Sequence, residues 1–324
     1  MQAAVRTVLG DVPAHDLGRV NYHEHLFQVS PLLPGDELDD EGRSGQEAGL
    51  LRQAGTQAMV EATPTGLGRN PAALARISAS AGLRIIATSG AHREAHYGAG
   101  HWLTDLSEAE LARRFTADIE SGLPESDGAQ AGAAAHGPAG AAVRAGLLKA
   151  GIGYWDISLF ERRVLAAVAV AHCSTGAPIM VHLEHGSAAF EVLAVLERDG
   201  VSPDAVVLAH IDRNPDPVLH ADLAAAGAYL GYDGFARSRT WPDSIILNCM
   251  CAAADLGAQG RILLGGDVAR RTRYVAYGGM PGLTYLEDRI VPRLIRAGRG
   301  ELLEAALTAN PARWLGRFSR PATP

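Results

Sequence analysis

Eight short apolar segments recur along the 324-residue chain, and helical patterns lie between them. These candidate strands span residues 18–23, 58–63, 84–90, 146–150, 178–183, 205–210, 228–233 and 261–267. Most are nearly continuous apolar runs, such as PIMVHL and AVVLAH, which are typical of strands covered on both faces of a parallel sheet. The regular alternation predicts an α/β fold, a (β/α)8 TIM barrel, with a doubly wound open sheet as the main alternative.

Helix signals separate these strands. The predicted helices span residues 71–82, 160–175, 187–198, 217–226, 244–257 and 287–298. Asn70 followed by Pro71 is a typical helix start, and Gly176 is a typical helix end. The Gly/Ala-rich segment 122–142 has little periodicity and is predicted to be a flexible loop. Because no second domain or linker is evident, residues 1–324 are predicted to form a single domain.

The charge and hydropathy of the chain exclude several classes of partner. The formal net charge is -7 and no Lys/Arg-rich run occurs, which argues against nucleic-acid binding. No apolar run approaches the roughly 18 residues of a membrane span, and the N-terminus lacks the pattern of a secretory signal. Three cysteines form no disulfide framework. We therefore expect a cytoplasmic protein with a small-molecule substrate, and leave a homodimer open.

Polar residues of the metal-ligating type stand at the ends of the predicted strands. The six are His23, His25, Lys149, His182, His210 and Asp267. In a (β/α)8 barrel these strand ends build the active site. Residues i and i+2 of an extended segment point to the same side, so both imidazoles of the H-x-H pair can reach one metal. Imidazole and carboxylate ligands indicate zinc, manganese or similar ions.

Each of these residues also has an ordinary structural interpretation. Asp267 can be a helix cap, and Lys149 can be a surface residue whose stem packs along apolar neighbours. An H-x-H pair alone is a weak signal. Six such residues at corresponding strand ends nevertheless predict a metal centre. The role of Lys149 stays open on this reasoning, because an ammonium group has no lone pair for a metal.

The order H-x-H, Lys, His, His, Asp resembles the phosphotriesterase family of the amidohydrolase superfamily. The flanking sequences VNYHEHL, VEATPTGLGRNP, RAGLLKA and NPARWLG agree, and the resemblance covers about residues 17–316. It implies a hydrolase with two divalent metal ions, of which zinc is expected first and manganese, cobalt or iron are alternatives. It also implies that CO2 converts Lys149 into a carbamate that bridges the two ions together with a hydroxide, the nucleophile.

The resemblance also assigns the remaining ligands. It implies that His23, His25 and Asp267 hold the more buried ion, and that His182 and His210 hold the more exposed one. Asp267 is then also the catalytic residue that accepts the proton of the nucleophile.

Two departures from the family pattern bear on the substrate. Phosphotriesterases carry a His directly after the Asp that ends the seventh strand, whereas here Gly234 follows Asp233, which argues against efficient organophosphate hydrolysis. Lactonase relatives carry a Tyr just after the third strand. Here GAH occupies that place and Tyr97 follows, so the sequence leaves open whether Tyr97, His92 or neither residue takes the role of that Tyr.

The last two loops suggest an anionic substrate. The eighth, DVARRTRYVAYGGMPGL, resembles relatives that hydrolyse phosphorylated sugar lactones, with Arg270 retained and Arg273 in place of a Tyr. The seventh carries Arg237 and Arg239 where those relatives have a Lys. Guanidinium groups suit phosphate or carboxylate, although arginines can instead pair with nearby carboxylates, such as Asp233 or Asp243.

These features predict a lactonase or carboxylic-ester hydrolase that acts on sugar-type, anionic lactones, with Arg239, Arg270, Arg273 and Tyr97 as substrate-binding residues. A phosphotriesterase or amide hydrolase on the same site is the alternative. A catalytically silent barrel is a third hypothesis, and it is disfavoured because no ligand is missing.

Overall fold

Eight parallel strands lie side by side in the order in which they occur along the chain. The computed structural model describes residues 2–130, 132–237 and 241–320. The strands are β1 (Val20–Glu24), β2 (Ala58–Glu61), β3 (Arg84–Gly90), β4 (Leu147–Gly151), β5 (Ile179–His182), β6 (Val206–Ala209), β7 (Tyr229–Tyr232) and β8 (Ile262–Leu264). The backbone N–H of Asp267 donates to the carbonyl of His23 (2.9 Å), so the chain after β8 returns to β1 and the sheet curls into a barrel. This consecutive order confirms the (β/α)8 prediction and rules out the doubly wound sheet.

The predicted strand positions are confirmed, with ends that differ by at most three residues. The largest difference is at β8, which stops at Leu264 although the apolar run suggested Asp267. The chain leaves the ladder there because Asp267 adopts a left-handed backbone (φ 43°), which a regular strand does not contain. Strand β8 therefore ends three residues before the candidate site residue Asp267.

Helices cover the outside of the barrel. The α-helices are Glu41–Gln53, Pro71–Ala81, Glu108–Glu120, Leu159–Thr175, Ala189–Arg198, Pro217–Ala225, Asp243–Asp255, Val291–Arg296, Gly300–Glu304 and Asn310–Leu315. Two π-helical segments, Leu286–Ile290 and Ala305–Ala309, continue directly into helices. The short 3-10 turns are Ala14–Asp16, Glu94–His96, Trp102–Asp105, Pro203–Ala205, Ile211–Arg213, Ala258–Arg261, Arg271–Arg273 and Val275–Tyr277. No helix in the described part of the chain is both long and apolar enough to cross a membrane.

The helix caps identified in the sequence are confirmed. The side chain of Asn70 accepts from the N–H of Ala73 (3.1 Å), with Pro71 in the first turn. Gly82 and Gly176 end their helices in the left-handed region. All six predicted helices exist, and the last of them begins as the π-helical segment Leu286–Ile290.

Several elements were not predicted from the sequence. Helix Glu41–Gln53 is largely polar and contains three glycines, so it lacks a clear apolar stripe. Helix Glu108–Glu120 begins with a capping box between Ser107 and Glu110, a signal that the sequence did contain. An antiparallel sheet joins Gln2–Thr7 to Gly10–Pro13 and to Phe318–Arg320, a pairing between the two ends of the chain that local patterns do not reveal.

Alternation along the strands separates an inner core from an outer one. On β5, Ile179 and Val181 pack in the layer between sheet and helices, whereas Met180 belongs to the barrel interior. His182 follows Met180 by two residues, so it also faces the interior. On β4, Lys149 follows the interior residue Leu147 in the same way. The strand register thus delivers polar side chains to the top of an apolar interior.

The segment 122–142 contains neither helix nor strand in its described residues. Hydrogen bonds of Asp127 attach the segment to the barrel. The carboxylate of Asp127 accepts hydrogen bonds from the backbone N–H groups of Gly66, Gly68 and Arg69 and from the Arg69 guanidinium. Arg69 is buried, and it also pairs with the buried Asp118 (3.1 Å). The loop therefore carries one of two carboxylates that neutralise an interior cation.

Replacement of Asp127 by Ala should destabilise the protein, because Arg69 would lose one of its two buried partners. Breaking a buried ion pair from one side costs about 3 kcal/mol or more. Urea unfolding measures the effect. Asp255→Ala is the matched control, since it removes an exposed carboxylate paired with Arg299 (2.6 Å) and should leave the midpoint almost unchanged. Equal midpoints for the two variants would show that Asp127 does not anchor the loop.

Candidate metal centre and active site

One cavity at the carboxyl ends of the strands is lined by all six predicted metal ligands. Its volume is about 330 Å³. The six ligands are His23, His25, Lys149, His182, His210 and Asp267. All of them are buried. The fold therefore brings together residues from the ends of five strands. The most distant of them in the sequence, His23 and Asp267, are 244 positions apart.

His23, His25 and Asp267 form the first donor set. Their ligand atoms lie within 4.8 Å of one another, and Asp267 Oδ1 is 3.6 Å from His23 Nε2 and 3.4 Å from His25 Nε2. The register of β1 against β2 shifts between Asn21 and Glu24, and such irregularities re-aim side chains. Burial lowers the pKa of His25 to about 4, so its imidazole is neutral and has a lone pair for a metal.

His182 and His210 form the second pair. Their ring centroids are 4.6 Å apart. Burial lowers the pKa of both imidazoles, that of His210 to about 3, so both are neutral at physiological pH. Among the described residues, neither His182 Nδ1 nor His23 Nε2 has a hydrogen-bond partner, although both atoms are buried. Buried nitrogens are normally satisfied, so these two free positions fit metal ligation.

Asp233 orients two of these histidines. Its carboxylate contacts His23 Nδ1 (3.0 Å) and His210 Nδ1 (2.6 Å), and it also accepts from the Tyr22 hydroxyl. Burial by itself opposes ionisation, but the two histidines hold the pKa of Asp233 below its usual range. Both imidazoles then carry their proton on Nδ1 and expose Nε2, the arrangement seen in carboxylate–histidine–metal sites. Because these contacts have hydrogen-bond lengths, Asp233 acts as a positioning residue rather than as a ligand.

Lys149 is completely buried, and its Nζ donates to the carbonyl of Ala62 (2.9 Å). Burial lowers the pKa of its amine to about 8, which increases the neutral fraction at physiological pH. Gly90 of β3 packs directly against the Lys149 backbone. A Cβ atom on Gly90 would lie 2.0 Å from the Lys149 carbonyl oxygen, and Gly90 has φ 93°, so only glycine fits there.

The carboxyl group of Asp267 is held in its ionised form. Burial opposes its ionisation, but Arg237 and the neighbouring histidines hold the pKa of its carboxyl well below the usual range. Both Asp267 and His210 have left-handed backbones, with φ 43° and 62°. Such strain in residues other than glycine is concentrated at functional sites.

Arginines surround the mouth of this cavity. Five of them line it: Arg93, Arg213, Arg237, Arg270 and Arg273. Arg270 is half exposed and pairs with Asp36 (2.9 Å), whereas Arg237 donates to the carboxylate of Asp267. Neither pairs with Asp233 or Asp243, the partners considered from the sequence. Arg239 lies outside the described residues.

The prediction that Tyr97 contacts substrate is corrected by its position. Its hydroxyl donates to the carbonyl of Thr65 (2.9 Å) and accepts from the backbone N–H of His92 (2.9 Å), and its ring is buried. It is His92 that lines the cavity. The backbone N–H of Arg93 donates to His92 Nδ1 (2.8 Å), so His92 keeps its proton on Nε2. Tyr97 therefore supports a wall residue from behind.

Comparison with known proteins agrees with this geometry. The family model described as "Phosphotriesterase family" matches residues 3–315. The chain belongs to the phosphotriesterase family. The resemblance seen in the sequence is thereby confirmed, and with it membership of a group of binuclear metal hydrolases.

Three similar proteins illustrate the comparison. A phospho-furanose lactonase of Mycoplasmopsis synoviae (strain 53) is 29% identical over 327 residues, covering 96% of this chain and 91% of the relative. An N-acetyltaurine hydrolase of Danio rerio is 28% identical over 361 residues, covering 97% and 98%. The crystal structure of a lactonase from Listeria monocytogenes superposes with a TM-score of 0.85 at 28% identity, covering 98% of this chain and 100% of that one.

Asp233→Asn should weaken metal binding, because an amide cannot accept from both His23 and His210. Loss of such an orienting partner typically lowers metal affinity about 10-fold to 100-fold. Competition with a chelator measures the affinity. Asp36→Asn changes a carboxylate at the cavity mouth that contacts neither histidine, and should leave the affinity unchanged. Wild-type affinity in Asp233→Asn would show that Asp233 does not orient the ligands.

Proposed function

We propose that this member of the phosphotriesterase family is a metal-dependent lactonase that opens sugar-type lactones carrying an anionic group. The observation that carries the proposal is a buried metal-ligand cluster whose cavity is lined by five arginines, in a chain of net charge -7. The bulk charge repels anions, so a local cluster of guanidinium groups is a feature of the site itself. The phospho-furanose lactonase similarity supports the same substrate class.

The residues present fit two divalent ions, with zinc expected first and manganese, cobalt or iron as alternatives. His23, His25 and Asp267 would hold one ion, and His182 and His210 the other. Lys149 would join them as a carbamate, which its lowered pKa favours because only a neutral amine attacks CO2. When bound, two such ions supply Lewis acidity toward water and toward a carbonyl oxygen.

The chain's own residues then complete the reaction. Water adds to the lactone carbonyl carbon, the bond from that carbon to the ring oxygen breaks, and a hydroxy acid is released. Asp267 is ionised, so it accepts the proton that the attacking water loses and returns it to the departing ring oxygen. The Nε2–H of His92 is a further donor on the cavity wall.

Arg273 and Arg270 are proposed to bind the anionic group. Arg273 donates to the carbonyl of Ala236 (3.3 Å), and no described carboxylate lies within ion-pair distance of it. Arg270 is half exposed and forms an ion pair with Asp36. A planar guanidinium can donate two parallel hydrogen bonds to a phosphate, which an ammonium group cannot do.

An amide hydrolase is the second candidate, because the similarity to an N-acetyltaurine hydrolase extends over 97% of this chain. The same ligands and the same proton acceptor would serve an amide. A panel of lactones and N-acyl amides, each with and without an anionic substituent, separates the two. Preference for an anionic amide over every lactone would replace the lactonase proposal.

Arg273→Ala should lower kcat/KM about tenfold to a hundredfold for a phosphorylated lactone, and hardly at all for the neutral lactone. Arg270→Ala should act in the same direction but less strongly, because Asp36 already pairs with Arg270. Arg296→Ala, on the exposed face of helix Val291–Arg296, is the control and should affect neither substrate. Equal losses on both lactones would mean that these arginines only hold the loop.

Lys149→Met should remove bound metal and activity together, because the bridging carboxylate would be lost. Metal content by elemental analysis should fall from close to two ions per chain toward one or none. Replacement by Ala, supplemented with a short carboxylic acid, should partly restore both. Two ions and full activity in Lys149→Met would eliminate the carbamate from the proposal.

A further inference from the structure

A second, wider groove adjoins the metal cavity. Its volume is about 840 Å³, and the chain segments that follow β4 and β5 form most of its wall. Arg93, Glu184 and Arg213 line both the groove and the metal cavity. A substrate bound in the metal cavity can therefore extend into the groove and stay in contact with the protein.

Aromatic side chains lie exposed in this groove. Tyr154 is 62% exposed and Trp155 is 64% exposed, and Phe190 on the facing helix is 44% exposed. The ring of Tyr154 meets that of His185 edge to face, with centroids 6.0 Å apart. Exposed aromatic rings are usually scattered singly over a protein surface. A group of them beside a cavity therefore indicates a binding surface.

The backbone of the two loops that form the groove is strained. Trp155, His185 and Ala188 have left-handed backbones, with φ between 50° and 54°, although none is glycine. The N–H of Trp155 donates to the Ser187 hydroxyl (3.1 Å), which itself donates to the carbonyl of Glu184 (2.7 Å). The two loops are thus locked together, and such strain is retained where the surroundings enforce it.

Polar groups accompany the aromatic rings. The Glu184 carboxylate lies between Arg93 (3.1 Å) and Arg213 (3.4 Å), at the boundary with the metal cavity. Glu191 and Asn214 line the groove further out. Aromatic faces beside carboxylate and amide groups match a sugar ring, which has an apolar C–H face and hydroxyls along its edge. An alkyl chain would offer no hydroxyl groups to Glu191 and Asn214.

We propose that this groove binds a second hydroxylated ring that is joined to the lactone, so that the substrate is a glycosylated rather than a single-ring lactone. This inference rests on the proposed lactonase function for the position of the reactive ring. The ring in the groove stacks on Trp155 and Tyr154, while its hydroxyls reach the polar groups.

The experiment compares three neutral substrates of the metal-loaded enzyme: glucono-1,5-lactone, cellobiono-1,5-lactone and an alkyl-substituted δ-lactone. The wild type should prefer the two-ring lactone to the one-ring lactone in kcat/KM by about tenfold. Trp155→Ala and Tyr154→Ala should each remove most of this preference through KM, with little change for glucono-1,5-lactone. Leu256→Ala, which removes an exposed apolar side chain outside the groove, should preserve it.

A binding measurement separates this inference from the lactonase proposal. Methyl β-cellobioside, which is not a lactone, should change the tryptophan fluorescence of the wild type, and the change should vanish in Trp155→Phe. If no lactone is hydrolysed but this response is present, the lactonase proposal fails and the sugar-binding groove stands. No response together with equal rates for the one-ring and two-ring lactones overturns the groove. A preference for the alkyl lactone that depends on Trp155 also overturns it.

Discussion

The carboxylate of Asp233 joins parts of the barrel that are not neighbours in the sheet. It follows β7, and it accepts from Tyr22 and His23 on β1 and from His210 after β6. Because β8 lies between β7 and β1, the contacts with Tyr22 and His23 cross the interior, whereas His210 follows the neighbouring strand β6. Asp233 is 0% exposed, so its charge is tolerable only while these partners surround it. Two candidate metal ligands thus owe their orientation to one interaction that also ties the top of the barrel together.

The barrel interior beneath the polar site is apolar. Met180, Val207 and Leu263 fill it with apolar side chains, and Trp314 from the C-terminal helix packs into the same core. In such surroundings imidazoles stay neutral and the amine of Lys149 loses part of its basicity. Burial of these polar groups lowers the stability of the folded protein. It also gives them the protonation states that metal ligation requires.

The positions of candidate site side chains could be predicted from the sequence where they follow from strand register. Lys149 and His182 each lie two residues after an interior apolar residue, so a correct strand assignment already places them at the top of the barrel. Asp233 stands at the same kind of strand end, so the sequence did contain a signal for its position near the site. Tyr97 was misplaced because the loop after β3 is irregular, and no period relates its residues to the cavity.

The sequence by itself determined the eight-stranded order, the helix caps and the set of metal-ligating residue types, because these depend on local periodicity and on position within an element. Only the tertiary structure decided which arginines face the cavity, that Asp36 pairs with Arg270, and that the segment 122–142 neutralises Arg69. It also decided that Trp155 and Phe190 line one groove, which adjoins the metal cavity. These contacts join loops from different strands, and their partners are set by how the barrel brings those loops together, which no spacing along the chain encodes.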